Sequence, residues 1–231
     1  MPGTRQALAF DVYGTLVDTA SVATKLRDLV GDKADEFAQV WRDKQLEYTF
    51  RRELMNRYEP FPVCVRDALD YTCARLGVRL SGEMRQALLD AYRVLPAFDD
   101  VVPSLDTLAG SGFGIYAFSN GPRASIEILL EAAGIRERFD DIVSVDEIGT
   151  FKPSPAVYRH FLGRADVTGS NAWLVSGNPF DVMGAVAAGL RGVWVRRSPA
   201  AIFDPWDIEP TLTIERLDEL AAGLAGLATV D

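Results

Sequence analysis

The sequence predicts an α/β fold: a Rossmann-like, doubly wound parallel sheet core with a small all-helical cap domain inserted after the first strand. Three observations predict it. Short apolar runs at residues 7–10, 114–118, 141–145, 172–176 and 192–196 alternate with helical patterns at 123–133, 154–162 and 181–188. Such alternation implies βαβ units and right-handed crossovers. Residues from about 20 to 95 contain no convincing strand and read as helical throughout. The sheet is then expected to resume near Val101, so the helical insert lies over one edge of it. The expected division is a core of residues 1–18 and 97–231 with a cap of residues 19–96.

Each element has its own signal. The first run, Ala7-Leu8-Ala9-Phe10, delivers Asp11 onto a Gly-Thr turn, which places a carboxylate at the carboxyl end of a buried strand. Ligands of open α/β sheets bind at that end. In the insert, Phe37, Val40, Trp41, Tyr48 and Met55 lie near helical spacing on a long segment starting around Lys33. Pro60 and Pro62 break it, and 63–76 and 81–94 read as two further helices, the second with Ser81 as N-cap. The apolar tail 217–227 reads as a packing helix.

Composition narrows the class. At 48% hydrophobic and 25% charged residues, the 231-residue chain is an ordinary globular protein with ample core. A net charge of −9 argues against nucleic acid or an anionic membrane as partner, and obliges a small anionic ligand to find a local cationic site. Cys64 and Cys73 are too few for a disulfide framework or zinc site and read as packing residues of one helix. No run reaches membrane-spanning length and the first residues lack a signal-peptide pattern, so the expected location is cytoplasmic.

Polar residues gather where strands end. Ser119-Asn120-Gly121 follows the second strand and offers a hydroxyl and backbone N–H groups to an anion, a role compatible with helix capping. In Thr150-Phe151-Lys152-Pro153-Ser154-Pro155 two prolines stiffen the approach to a helix, which suits Lys152 to an inward role, with Tyr158 projecting to the same end. Ser176-Gly177-Asn178-Pro179-Phe180-Asp181 follows another strand. On the long insert helix, Arg42 and Leu46 share a face. His160 lies two residues past Tyr158, faces elsewhere, and reads as surface or packing.

The phrase Phe10-Asp11-Val12-Tyr13-Gly14-Thr15 resembles the first motif of the haloacid dehalogenase superfamily. Phosphatases of that superfamily carry a second acid where Tyr13 stands, which protonates the leaving alcohol, and another where Asn178 stands, which helps the first Asp hold magnesium. Both losses leave a poor magnesium site and point from phosphorus toward carbon chemistry. Taken together, Asp11, Thr15, Arg42, Ser119, Lys152, Tyr158, Ser176, Asn178 and Asp181 resemble the active-site set of the L-2-haloacid dehalogenases in identity, order and spacing. The similarity runs over essentially the whole chain. Two departures stand out: Asp43 where the family has Gln, and Phe180 where it has Trp.

The resemblance implies hydrolysis of short L-2-haloacids to D-2-hydroxyacids through an ester on Asp11, with neither metal nor organic cofactor required. It implies that Arg42, Asn120 and Phe180 receive the halide, while Ser119 and Lys152 hold the substrate carboxylate. Lys152 also keeps Asp11 ionised, and Thr15 supports its carboxylate. Asp181, with Ser176 and Asn178, assists ester hydrolysis. Val12, Tyr13, Leu46, Phe61 and Tyr158 complete the expected substrate contacts, and a homodimer is implied by the likeness alone. A related alternative is a hydrolase opening a fluoroacid or azetidine-2-carboxylate, with Asp43 assisting the leaving group. A magnesium phosphatase and a non-catalytic binding module are the remaining, disfavoured readings.

Overall fold

The computed structural model describes residues 6–228; residues 1–5, where no signal-peptide pattern is read, lie outside that part. Strand β1 (Ala7–Asp11) is buried along its whole length, as suits an apolar run at the centre of a parallel sheet. Four helices follow it: α1 (Val22–Val30), α2 (Ala34–Leu54), α3 (Phe61–Leu76) and α4 (Gly82–Tyr92). Then come α5 (Val101–Leu108), β2 (Gly114–Ser119), α6 (Arg123–Ala132), β3 (Asp141–Ser144), α7 (Pro155–Ala165) and β4 (Ala172–Ser176). The order closes with α8 (Pro179–Ala187), β5 (Arg191–Val195), β6 (Leu212–Ile214) and α9 (Leu220–Ala228).

All strand pairs are parallel, in the order β3-β2-β1-β4-β5-β6. Winding reverses at β1, so the topological switch point lies beside its carboxyl end. Asp11 is level with Phe118 of β2, and Phe10 with Val175 of β4. Asp11, Ser119 and Ser176 therefore reach the same edge of the sheet.

Two expectations change, and one strand is added. The sheet does not resume at Val101: Val101, Leu105 and Leu108 are buried on one face of α5, a helical spacing, and β2 starts only at Gly114. Helix α3 starts at Phe61, with Pro62 inside its first turn, where the missing N–H loses no hydrogen bond. Strand β6, three residues at the sheet edge, is too short for its pattern to show in sequence.

The inserted helices pack on each other through buried Phe37 and Trp41 of α2, and Trp41 Nε1 donates to the Val65 carbonyl of α3 at 2.8 Å. Ser81 caps α4 by accepting from the Met84 N–H at 3.2 Å. Cys64 and Cys73 are buried free thiols of α3. The two segments that join these helices to the sheet run side by side: Asp18 N–H donates to the Pro96 carbonyl at 2.9 Å, and Phe98 N–H to the Leu16 carbonyl at 3.0 Å. Among the described residues no helix is long and apolar enough to cross a membrane.

Leu8, on the central strand, is fully buried. Leu8→Ala should cost about 2–5 kcal/mol of stability in a urea titration, through lost burial and a residual cavity. A loss below about 1 kcal/mol would contradict a close-packed centre at β1.

Candidate active site

Asp11 is buried, and its two oxygens are treated differently. Oδ2 accepts from Thr15 Oγ1 at 2.7 Å, Asn178 Nδ2 at 2.7 Å and Ser176 Oγ at 3.2 Å. Among the described residues Oδ1 accepts only from Lys152 Nζ, at 3.1 Å. Thr15 is itself fixed, because its hydroxyl accepts from the Gly177 N–H at 2.8 Å. The close approach of two loops makes Gly177 necessary: a Cβ there would sit 2.3 Å from the Gly14 carbonyl oxygen.

Lys152 is buried at the meeting point of three chain segments. Its ammonium donates to Asp11 Oδ1 at 3.1 Å, Asp181 Oδ2 at 2.7 Å and the Phe118 carbonyl at 2.9 Å. An ammonium has three hydrogens, and all are committed, so the expectation that Lys152 also holds a substrate carboxylate is revised. Asn120 secures this lysine, its Oδ1 accepting from the Lys152 N–H at 2.9 Å. Burial by itself pulls the Lys152 pKa down, but the adjacent Asp11 and Asp181 outweigh it and hold the ammonium above its ordinary value. Asp181 is fully buried, and that desolvation pushes its pKa up to about 6 in spite of Lys152. One cation faces two carboxylates, so Asp181 takes up a proton as pH falls while Lys152 stays charged.

Tyr158 belongs to this cluster rather than to a ligand surface. It is fully buried, and its hydroxyl lies 2.8 Å from Asp181 Oδ1 and 3.0 Å from the Asp181 carbonyl. The expected substrate contact is therefore corrected to support of Asp181. Val12 is likewise structural in side chain and carbonyl. The former is buried, and the latter accepts from Thr15, Leu16 and Val17 N–H groups at 3.3, 2.9 and 3.1 Å.

From α2, Arg42 reaches across to the sheet edge. Its Nη2 donates to the Tyr13 carbonyl at 3.3 Å and lies 3.5 Å from Asn178 Oδ1. Its Nη1 is buried with no hydrogen-bond partner among the described residues. A buried, unpaired guanidinium N–H is costly and marks a place for an anion. Sequence reading missed the support behind it: Gln45, one turn along α2 and fully buried, accepts from the Tyr92 hydroxyl at 2.8 Å. Its spacing of three from Arg42 was the available signal. Tyr92 also stacks on Tyr13, with ring centroids 5.7 Å apart, and Phe61 lies 5.3 Å from Tyr13 on its own account. Burial holds the Tyr13 phenol well above its ordinary pKa, so it is a neutral wall.

Ser119 is buried at the end of β2, its Oγ accepting from the Gly121 N–H at 3.2 Å. Phe180, at the start of α8, meets Phe50 of α2 edge-on at 5.1 Å and helps line an apolar groove of about 610 Å³ with Pro153 and Met183. Leu46 is half-buried, one turn from Arg42. Asp43 points away: it is exposed and accepts from Gln39 Nε2 at 2.8 Å, which corrects the expectation that it assists the leaving group. His160 Nε2 lies 3.1 Å from Glu147 Oε2, outside the Asp11 cluster.

The donor set does not suit a divalent cation. Lys152 Nζ occupies the position between Asp11 and Asp181, and Asn178 presents N–H rather than oxygen to Asp11. Among the described residues no three or more His, Cys, Asp or Glu side chains are placed to share a metal.

Comparison with known proteins bears on this geometry. A family model described as haloacid dehalogenase-like hydrolase matches residues 6–189. The chain belongs to that family. An (S)-2-haloacid dehalogenase from Pseudomonas fluorescens is 36% identical over 216 residues, covering 94% of this chain and 95% of the relative. Another, from Pseudomonas sp. strain YL, is 36% identical over 226 residues, covering 95% and 97%. Among solved structures, the L-2-haloacid dehalogenase from Xanthobacter autotrophicus with chloropropionic acid covalently bound superposes with a TM-score of 0.88 at 30% identity, covering 96% of this chain and 99% of that one. Within the haloacid dehalogenase-like family, this chain is thus similar to members named for carbon–halogen cleavage.

The Tyr158 hydroxyl favours the charged form of Asp181. Tyr158→Phe should therefore move the Asp181 midpoint above about 6 in a carbon-13 titration of the side-chain carboxyls. An unchanged or lower midpoint would count against the assigned support.

Proposed function

We propose that the chain is an (S)-2-haloacid dehalogenase that converts short L-2-haloacids to D-2-hydroxyacids through an aspartyl ester on Asp11. The observation that carries this reading is the asymmetry of the Asp11 carboxylate. Among the described residues three donors hold Oδ2, whereas Oδ1 has one donor, Lys152, and keeps lone-pair density for attack. Such a carboxylate is aimed and only partly saturated.

Oδ1 forms a bond to C2 as the carbon–halogen bond breaks on the opposite face, inverting that carbon. The departing halide takes the electron pair and is received by the unpaired Arg42 Nη1, with the Asn120 amide and the Phe180 ring edge beside it. Ser119 and neighbouring backbone N–H groups hold the substrate carboxylate, since Lys152 has no hydrogen left for it. Water then attacks the Asp11 ester carbonyl. Asp181 takes the water proton, the C2 oxygen departs with a proton as the hydroxyacid, and Asp11 regains its carboxylate. Ser176 and Asn178, both on Asp11 Oδ2, orient that step. Leu46, Phe61 and Tyr13 form the apolar wall. We further propose that residues 19–96 act as the cap and residues 1–18 and 97–231 as the core, joined at the paired segments around Val17 and Ala97.

In single turnover in heavy-oxygen water, label should enter Asp11 and be absent from the first product; label confined to product would exclude the ester. Asp11→Asn should fold normally and lose on the order of 10⁴-fold or more in kcat. Chloride should be released from L- but not D-2-chloropropionate. Because Asp181 must be ionised to accept a proton, kcat should rise through pH of about 6 and level off above it.

A further inference from the structure

Arg197 lies outside the site described above, yet one of its contacts reaches the nucleophile's support at Thr15. It follows β5, where its N–H donates to the Val195 carbonyl at 2.8 Å. Nη2 donates to the Thr15 carbonyl at 2.6 Å, and Nη1 to Asp100 Oδ2. The guanidinium also lies over the Phe98 ring, 4.1 Å from its centroid. Asp100 is fully buried, and the same Oδ2 accepts from the Leu217 N–H at 2.7 Å.

These partners belong to different segments. Thr15 leads out toward the inserted helices, Phe98 and Asp100 lie where the chain returns, and Leu217 precedes α9. Thr15 places its hydroxyl 2.7 Å from Asp11 Oδ2. Packing there is tight, since the Gly14 carbonyl oxygen would lie 2.3 Å from a Cβ on Gly177. A shift of the Thr15 backbone is therefore passed to Asp11 instead of being absorbed. A planar guanidinium bonds two acceptors through a rigid fork while its face rests on an aromatic ring; a lysine ammonium has no such fork.

We propose that Arg197, anchored by Asp100, is a positioning residue that sets the attack geometry of Asp11 through Thr15 and ties both cap connections to the core. The proposal rests on the dehalogenase reading for its kinetic test, but its structural test does not. Arg197→Lys keeps the charge and removes the fork, and should remain folded. Its kcat on L-2-chloropropionate should fall about tenfold to a hundredfold, the scale of a sub-ångström to 1 Å misplacement, with KM little changed. Amide hydrogen exchange at residues 14–17 should quicken. Asp100→Asn, which loosens the anchor while preserving its size, should act in the same direction.

A thermodynamic cycle separates positioning from general destabilisation. In a Thr15→Val background, Arg197→Lys should cost less than about twofold further in kcat, because the route to Asp11 is already cut. Additive losses would overturn the proposal. So would wild-type kcat in Arg197→Lys and Asp100→Asn together with unchanged exchange at residues 14–17. If the wild-type protein releases no chloride, the dehalogenase reading fails while exchange alone decides the clamp, with faster exchange supporting it and unchanged exchange refuting it.

Discussion

The ammonium of Lys152, buried between Asp11 and Asp181, is the interaction on which the remainder of the site depends. Two desolvated carboxylates at the end of a parallel sheet would repel one another and shed a charge by protonation. One fixed cation between them offsets part of that penalty, although desolvation still pushes the Asp181 pKa up to about 6. Removing one partner from such a cluster strands the others uncompensated. The surrounding structure follows from holding that lysine still: Asn120 on its backbone, the Phe118 carbonyl on its third hydrogen, and Tyr158 behind Asp181.

A second constraint lies between sheet and helices. Arg42 arrives from α2 and meets the Tyr13 carbonyl, so the proposed halide acceptor and the proposed nucleophile sit on separate parts of the chain. Their registry depends on two connecting segments bonded to each other around Val17 and Ala97. Arg197 sits where those segments meet β5 and the tail. A reaction that needs attack and departure in line cannot tolerate slack at such a joint.

Much of the fold was legible because apolar periodicity reports burial directly. Five of the six strands among the described residues, and the helical insert, follow from it. Val101 misled because a short apolar stretch suits strand or helix until its buried face is seen, and Leu212–Ile214 carries too few residues to show a period. In the site, Asp11, Arg42, Lys152, Asn178 and Asp181 were legible as polar residues at strand ends or on a helix face with a recognisable spacing.

What the chain alone determined is chemical type: a carboxylate at the end of the central strand, amide and phenol where a metal-binding protein would have acids, and a lysine stiffened by prolines. What only the tertiary structure decided is how each group is spent. All three hydrogens of Lys152 are taken, Tyr158 serves Asp181, and Asp43 turns toward Gln39 and solvent. The physical reason is that hydrogen-bond valence and burial are properties of a three-dimensional neighbourhood. The Asp11 and Asp181 carboxylates draw on the same ammonium only after folding brings Lys152 Nζ to 3.1 Å from one and 2.7 Å from the other, the ordinary hydrogen-bond range.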